Sequence, residues 1–178
     1  MVNNLSQATI THWHGLDVPS DQDGHPRDVV PTGGVYNYDF RVMNRAGTYW
    51  YHPHPDGFTG FQAHAGLAGL FIVRDDEEQR LALPRGVYDI PIVIQDRRFN
   101  ASNQFVYQTG PLFGFLGNSI LVNGQENYVH QCAKRVYRMR VLNGSNSRIY
   151  KLACSDGTPM VVIGNDGGLL AKPVTKPY

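Results

Sequence analysis

No run of eighteen apolar residues occurs in the sequence, so no segment reads as a membrane-spanning helix. The opening residues, Met1-Val2-Asn3-Asn4-Leu5, lack the basic and apolar regions of a signal peptide. That leaves a cytoplasmic protein, or an exported one whose leader lies outside this sequence. Cysteine is scarce: Cys132 and Cys154 cannot form a disulfide framework. They show no CxxC spacing and no adjacent histidine, so each is expected as a packed or half-buried thiol. A single Cys132–Cys154 disulfide stays open for an oxidising compartment. No basic block is longer than Arg97-Arg98 and the formal net charge is +1, which sets aside a phosphate-tracking nucleic-acid surface. No window sustains a helical period, and there is no short repeat and no low-complexity segment.

What is present favours a packed β protein. Hydrophobic residues make up 42% and charged residues 17%, a balance that supports a core and excludes disorder. Gly and Pro punctuate short runs rich in β-branched and aromatic residues. Ala8–His14, Val35–Val42, Gly47–His52, Ala68–Val73, Asp89–Gln95, Ser119–Val122, Arg135–Leu142, Arg148–Ala153 and Met160–Ile163 read as strands. Only Asp76–Leu81 suggests a helical turn. Many short strands between turn signals indicate an all-β sandwich or barrel with Greek-key connections. A break is expected within Arg74–Arg85, where Asp-Asp-Glu-Glu followed by Leu-Ala-Leu-Pro reads as a solvated linker. Residues 1–75 then form one unit, 76–85 the linker and 86–178 a second unit.

The chemistry sits in two histidine pairs: Thr11-His12-Trp13-His14-Gly15-Leu16, and Thr48-Tyr49-Trp50-Tyr51-His52-Pro53-His54. In an extended chain alternate side chains share a face, so each pair projects two imidazoles together while Trp13 or Pro53 faces away. Two strand rises put their bases roughly 6.6 Å apart. Imidazole nitrogen binds transition metals at about 2 Å, so a pair suits two neighbouring ions at least as well as one. Two pairs on adjacent strands make a four-imidazole face. All-nitrogen ligation suits copper, zinc or nickel, and copper heads the general affinity order. A lone strand histidine is ordinarily a satisfied surface residue, but two His-X-His runs beside tryptophans seldom arise by chance. His25 in a Gly-Pro-bounded loop, His64 in Gln62-Ala63-His64-Ala65 and His130 in a polar turn are instead expected to be exposed or locally hydrogen-bonded.

At these residues the sequence resembles the multicopper oxidases, the family of laccases, bilirubin oxidases and bacterial copper-efflux oxidases. Thr-His-Trp-His-Gly-Leu at 11–16 is similar to the family's first copper segment, and Gly47–His54 to its second. Gly66-Leu67-Ala68-Gly69-Leu70-Phe71-Ile72-Val73 resembles the strand that closes the first cupredoxin domain. Pro91–Arg97, Leu121–Gly124, Arg140–Gly144 and Asp166-Gly167-Gly168 look like the opening half of a second. The resemblance spans nearly the whole chain and is nearest to the periplasmic copper-efflux oxidases.

It implies a cupredoxin-like fold and an enzyme coupling one-electron oxidation of a phenolic or cuprous substrate to reduction of dioxygen to water. It assigns His12 to the type 2 copper of a trinuclear cluster. His14 and His52 would share one type 3 copper, and His54 would bind the other. Asp23, in Asp21-Gln22-Asp23-Gly24, matches an acidic residue that delivers protons there, although beside Gly24 it reads equally well as a turn residue capping its own backbone. The family's other four cluster histidines and its His-Cys-His blue-copper segment have no match here. The chain is therefore expected to be a fragment, begun part-way through domain one and ended inside domain two. It would need the remaining domains, a companion chain or self-association, in a periplasmic or exported setting, with no membrane or nucleic-acid partner. A copper-storage or copper-delivery module, or a metal-free structural relative, are the alternatives.

Overall fold

A computed structural model describes residues 1–177 of the chain. Its elements, in order, are β1 Thr11–His14, β2 Gly47–Pro53, α1 Thr59–His64, β3 Gly69–Val73, α2 Asp76–Arg80, β4 Asp89–Arg97, β5 Ser119–Val122, β6 Arg138–Asn143, β7 Met160–Asn165 and β8 Gly168–Lys176. They form a β1-β2-β3 sheet, a β5-β4-β6 sheet and a β7-β8 hairpin. The pairings are antiparallel except β4 with β6, which run parallel. The architecture is all-β, with two short α-helices and three single 3-10 turns among the described residues.

Alternation explains the first sheet. Along β2, Gly47, Tyr49 and Pro53 are buried while Thr48, Trp50 and His52 are half-exposed. Behind the sheet lies an aromatic cluster in which Trp13 meets Tyr38, Phe40, Tyr51 and Phe71 with ring centroids 5.1–6.1 Å apart. The same segment accounts for a departure from expectation. Residues 35–42 alternate as a strand should, but beyond an isolated Val2–Val35 bridge no neighbouring strand pairs with them. Tyr38 instead brackets the backbone of Thr11: its hydroxyl accepts from the Thr11 N–H at 3.0 Å and donates to the Thr11 carbonyl at 2.8 Å. Residues 148–153 are likewise not a strand, and Ile149 is 92% exposed. Conversely α1 and β8 form where the sequence suggested neither.

The expected solvated linker is only partly solvated. Asp75 caps α2 by accepting from the Glu78 N–H at 2.7 Å. Glu78, however, is buried and binds Arg138 and Arg140 of β6, the latter at 2.9 Å. Arg140 also binds Asp89 through Nε at 2.8 Å and Nη2 at 3.0 Å, and donates to Thr48 Oγ1 of β2 at 3.1 Å. Countercharge and hydrogen bonds make a buried guanidinium tolerable, and here they tie α2, β2, β4 and β6 together. Both cysteines are free and exposed rather than packed, because each lies in an irregular loop.

Candidate metal centre

The β1–β2 register sets the site. His12 stands opposite His52, and His14 opposite Trp50. His54 follows β2, with its backbone N–H held by the Ile10 carbonyl at 3.0 Å. The pleat sends His12, His14, Trp50 and His52 to one face. The His12 ring lies 5.8 Å from His14, 5.2 Å from His52 and 5.3 Å from His54. Ligand nitrogens of His12, His14 and His52 all lie within 4.8 Å of one another.

Hydrogen bonds orient the rings. His12 Nδ1 donates to the Asp23 backbone carbonyl at 2.8 Å, and His52 Nδ1 to the Pro53 carbonyl at 2.8 Å. That assignment of tautomers leaves both Nε2 lone pairs available. His14 Nδ1 lies 3.2 Å from His52 Nε2. That separation is short enough for both nitrogens to bind one ion at metal–nitrogen distances of about 2.0–2.1 Å. His54 Nδ1 is buried without a partner. Burial, then the neighbouring His12, lowers the His14 pKa, with Asp166 opposing. Burial likewise lowers that of His52 against the hydrogen bond to Pro53, and the other three imidazoles add to the fall. These rings therefore favour the neutral form that ligates metal.

The four paired histidines thus share one surface. Asp23 is beside them, with Oδ1 3.1 Å from His12 Nδ1, yet its closer contact is the backbone carbonyl. His25 is half-buried in its loop, and His130 is exposed, 3.4 Å from the Tyr128 hydroxyl. His64 departs from expectation. It is 0% exposed and neither ring nitrogen has a partner, because α1 turns it inward against Phe105, Tyr107 and Phe115. Trp50 was not singled out from the sequence, although its ring covers His14 at 4.9 Å and His52 at 4.4 Å. Its even spacing from His52 and His54 was the available signal.

Residues 1–78 match the family model described as multicopper oxidase. A laccase from Bacillus subtilis is 36% identical over 93% of this chain and 36% of its own length. The cell division protein FtsP of Xenorhabdus nematophila is 37% identical over 97% of this chain and 37% of its own. Among solved structures, a variant of the McoA multicopper oxidase from the hyperthermophile Aquifex aeolicus superposes with a TM-score of 0.92 at 45% identity, over 98% of this chain and 40% of that one. The chain belongs to the multicopper oxidase family and has its cupredoxin-like fold. It spans 36–40% of the length of these proteins. Family membership implies copper, and the all-imidazole donor set with free Nε2 lone pairs fits that ion.

Proposed function

We propose that the chain supplies half of the imidazole ligands of an oxygen-reducing trinuclear copper cluster, in an oxidase acting on a small phenolic or cuprous donor. The observation that carries this reading is the 3.2 Å separation of His14 Nδ1 and His52 Nε2, with His12 and His54 on the same face. On this reading His12 serves a type 2 ion, His14 and His52 share one type 3 ion, and His54 serves the other. Bound copper would supply one-electron acceptance and dioxygen binding. The chain's own contribution is to hold the ligands: the Asp23 and Pro53 carbonyls fix two tautomers, and the Trp50 ring packs against both His14 and His52. On this reading Asp23, whose Oδ1 lies 3.1 Å from His12 Nδ1, would serve proton delivery beside the cluster. The reading calls for a further imidazole-bearing partner, be it the remaining domains, a companion chain or a second copy, and for a periplasmic or extracellular setting. No described helix is long and apolar enough to cross a membrane.

Calorimetric titration with cupric ion tests the reading. The double variant His14→Ala/His52→Ala should bind at least roughly tenfold more weakly than the parent, by analogy with the loss seen when even an outer partner of a ligand is removed. Unchanged affinity would sink it. The similarity to FtsP favours a second reading, a scaffold acting through protein contacts. That reading predicts no dependence on the four histidines.

A further inference from the structure

We propose that His64 is an acid-sensitive latch between α1 and the loop that follows β4, closed while its imidazole is neutral and opened when the ring takes a proton. The inference rests on the packing of this junction and is independent of copper binding. His64 closes α1 and projects into a box formed by Phe105 at 5.5 Å, Tyr107 at 5.1 Å and Phe115 at 4.3 Å between ring centroids. The residue is 0% exposed, and Nδ1 and Nε2 both lack a hydrogen-bond partner. The junction has little polar adhesive elsewhere. Asn146 donates to the Gly60 carbonyl at 2.7 Å, but its own Oδ1 is buried and unpartnered. Arg97 reaches the Ala63 carbonyl at 3.4 Å. Gln62 ties α1 to Thr9 and Ala8, but against the loop after β4 the helix is held chiefly by aromatic packing, which tolerates an imidazole only as a neutral ring.

A proton arriving from solvent would give His64 two N–H donors and a charge. Each element packed against the ring can be checked for compensation. The loop after β4 offers the Tyr107 hydroxyl and otherwise apolar rings. From β4 come Arg97, which repels the charge, and Asp96, which would attract it. Asp96 Oδ2 accepts from the Gly117 N–H at 2.6 Å and from Arg148 Nε at 2.9 Å, so its charge is shared with Arg148, while Oδ1 is buried without a partner. On α1 the neighbouring Gln62 is occupied by Thr9 and Ala8. In the closed junction neither His64 nitrogen reaches an acceptor, Asp96 Oδ1 and Asn146 Oδ1 included, so the proton's charge has no direct partner there. The direction of titration agrees: burial, then Arg97, lowers the His64 pKa from 6.5 to about 4, against the pull of Asp96.

The sign follows from linkage. A depressed pKa means that the open state binds the proton more tightly. The closed state is fully favoured above pH 6.5 and loses that advantage as pH falls from 6.5 toward 4. Across that window the closed-to-open ratio should fall by up to about 300-fold, ten per pH unit. The motion reaches the histidine face, because the Phe58 and Thr59 N–H groups that lead into α1 both donate to the Pro55 carbonyl, next to His54.

Hydrogen exchange with mass spectrometry on the 178-residue chain, corrected for intrinsic rates, tests the latch. At pH 4.5 peptides spanning residues 59–67 and 99–117 should lose protection before those from β4 and β6, and at pH 7 they should keep it. His64→Phe, which fills the box with an apolar ring, should remove the acid loss. His64→Leu serves if the larger ring overpacks. Imidazole NMR supplies a readout that needs no variant: the His64 ring should stay neutral at pH 5.5 in the folded chain. A His64 ring that titrates near 6.5 in the folded chain, or an acid loss identical in parent and variants, would overturn the proposal.

Discussion

Gly24 has a backbone φ of +72°, and a Cβ built on it would stand 1.9 Å from the Thr11 carbonyl oxygen. Any side chain there must push the Asp21–Gly24 loop off β1, and the Asp23 carbonyl that orients His12 goes with it. Gly24→Ala should therefore weaken cupric binding by roughly 10–100-fold, the usual effect of losing a ligand's outer partner, as measured by calorimetry. Asp23→Asn keeps the backbone carbonyl, so its affinity should stay close to the parent's. A large loss from Asp23→Asn alone would show that the carboxylate, not the carbonyl, does the orienting. The two histidine pairs were legible because period two needs only a strand assignment. The Asp23 carbonyl was not, because a sequence displays side chains and this contact is made by backbone. His64 was misjudged for a related reason: the residues that enclose it lie some forty to fifty positions further on, in a loop.

β6 shows what an alternating pattern leaves open at the level of the element. Arg138, Arg140 and Leu142 face inward, while Met139 and Val141 are 59% and 43% exposed. Alternation marked the strand, but hydrophobicity alone would have turned it over. Its orientation is decided by Glu78 and Asp89, acids on α2 and at the start of β4 whose charges need burial partners. Removing one member of such a cluster strands the rest. Arg140→Met should cost about 3–5 kcal/mol in chemical denaturation, whereas breaking an exposed, solvent-screened pair such as Arg45–Glu77 should change stability far less. Equal effects would mean that the cluster is well solvated. Residues 35–42 teach the complementary lesson. Their alternation reads as a strand, and that expectation fails: a strand also needs a neighbour, and the pairing of distant segments is not written in local pattern.

Seen as a whole molecule, the described residues gather one metal-competent cluster, made of His12, His14 and His52 with His54 adjoining. Neither exposed cysteine belongs to it. The 178-residue polypeptide, supplied with copper and a phenol, is therefore expected to consume no more oxygen than free copper does in an electrode assay. A monomer that turns over without a partner would contradict the division of ligands proposed above. The register of β1 and β2 has one more consequence, which concerns tolerance to insertion and deletion. Because no tight hairpin sets that register, the stretches of residues 15–46 between fixed contacts can change in length without turning a single imidazole, provided the Asp21–Gly24, Val30 and Tyr38 contacts to the β1 segment survive. Inside either strand the rule reverses. One residue gained or lost next to His12 or His52 would send half of the face to the aromatic side of the sheet. Descendants of this chain should therefore vary freely in their excursions and hardly at all along the two strands.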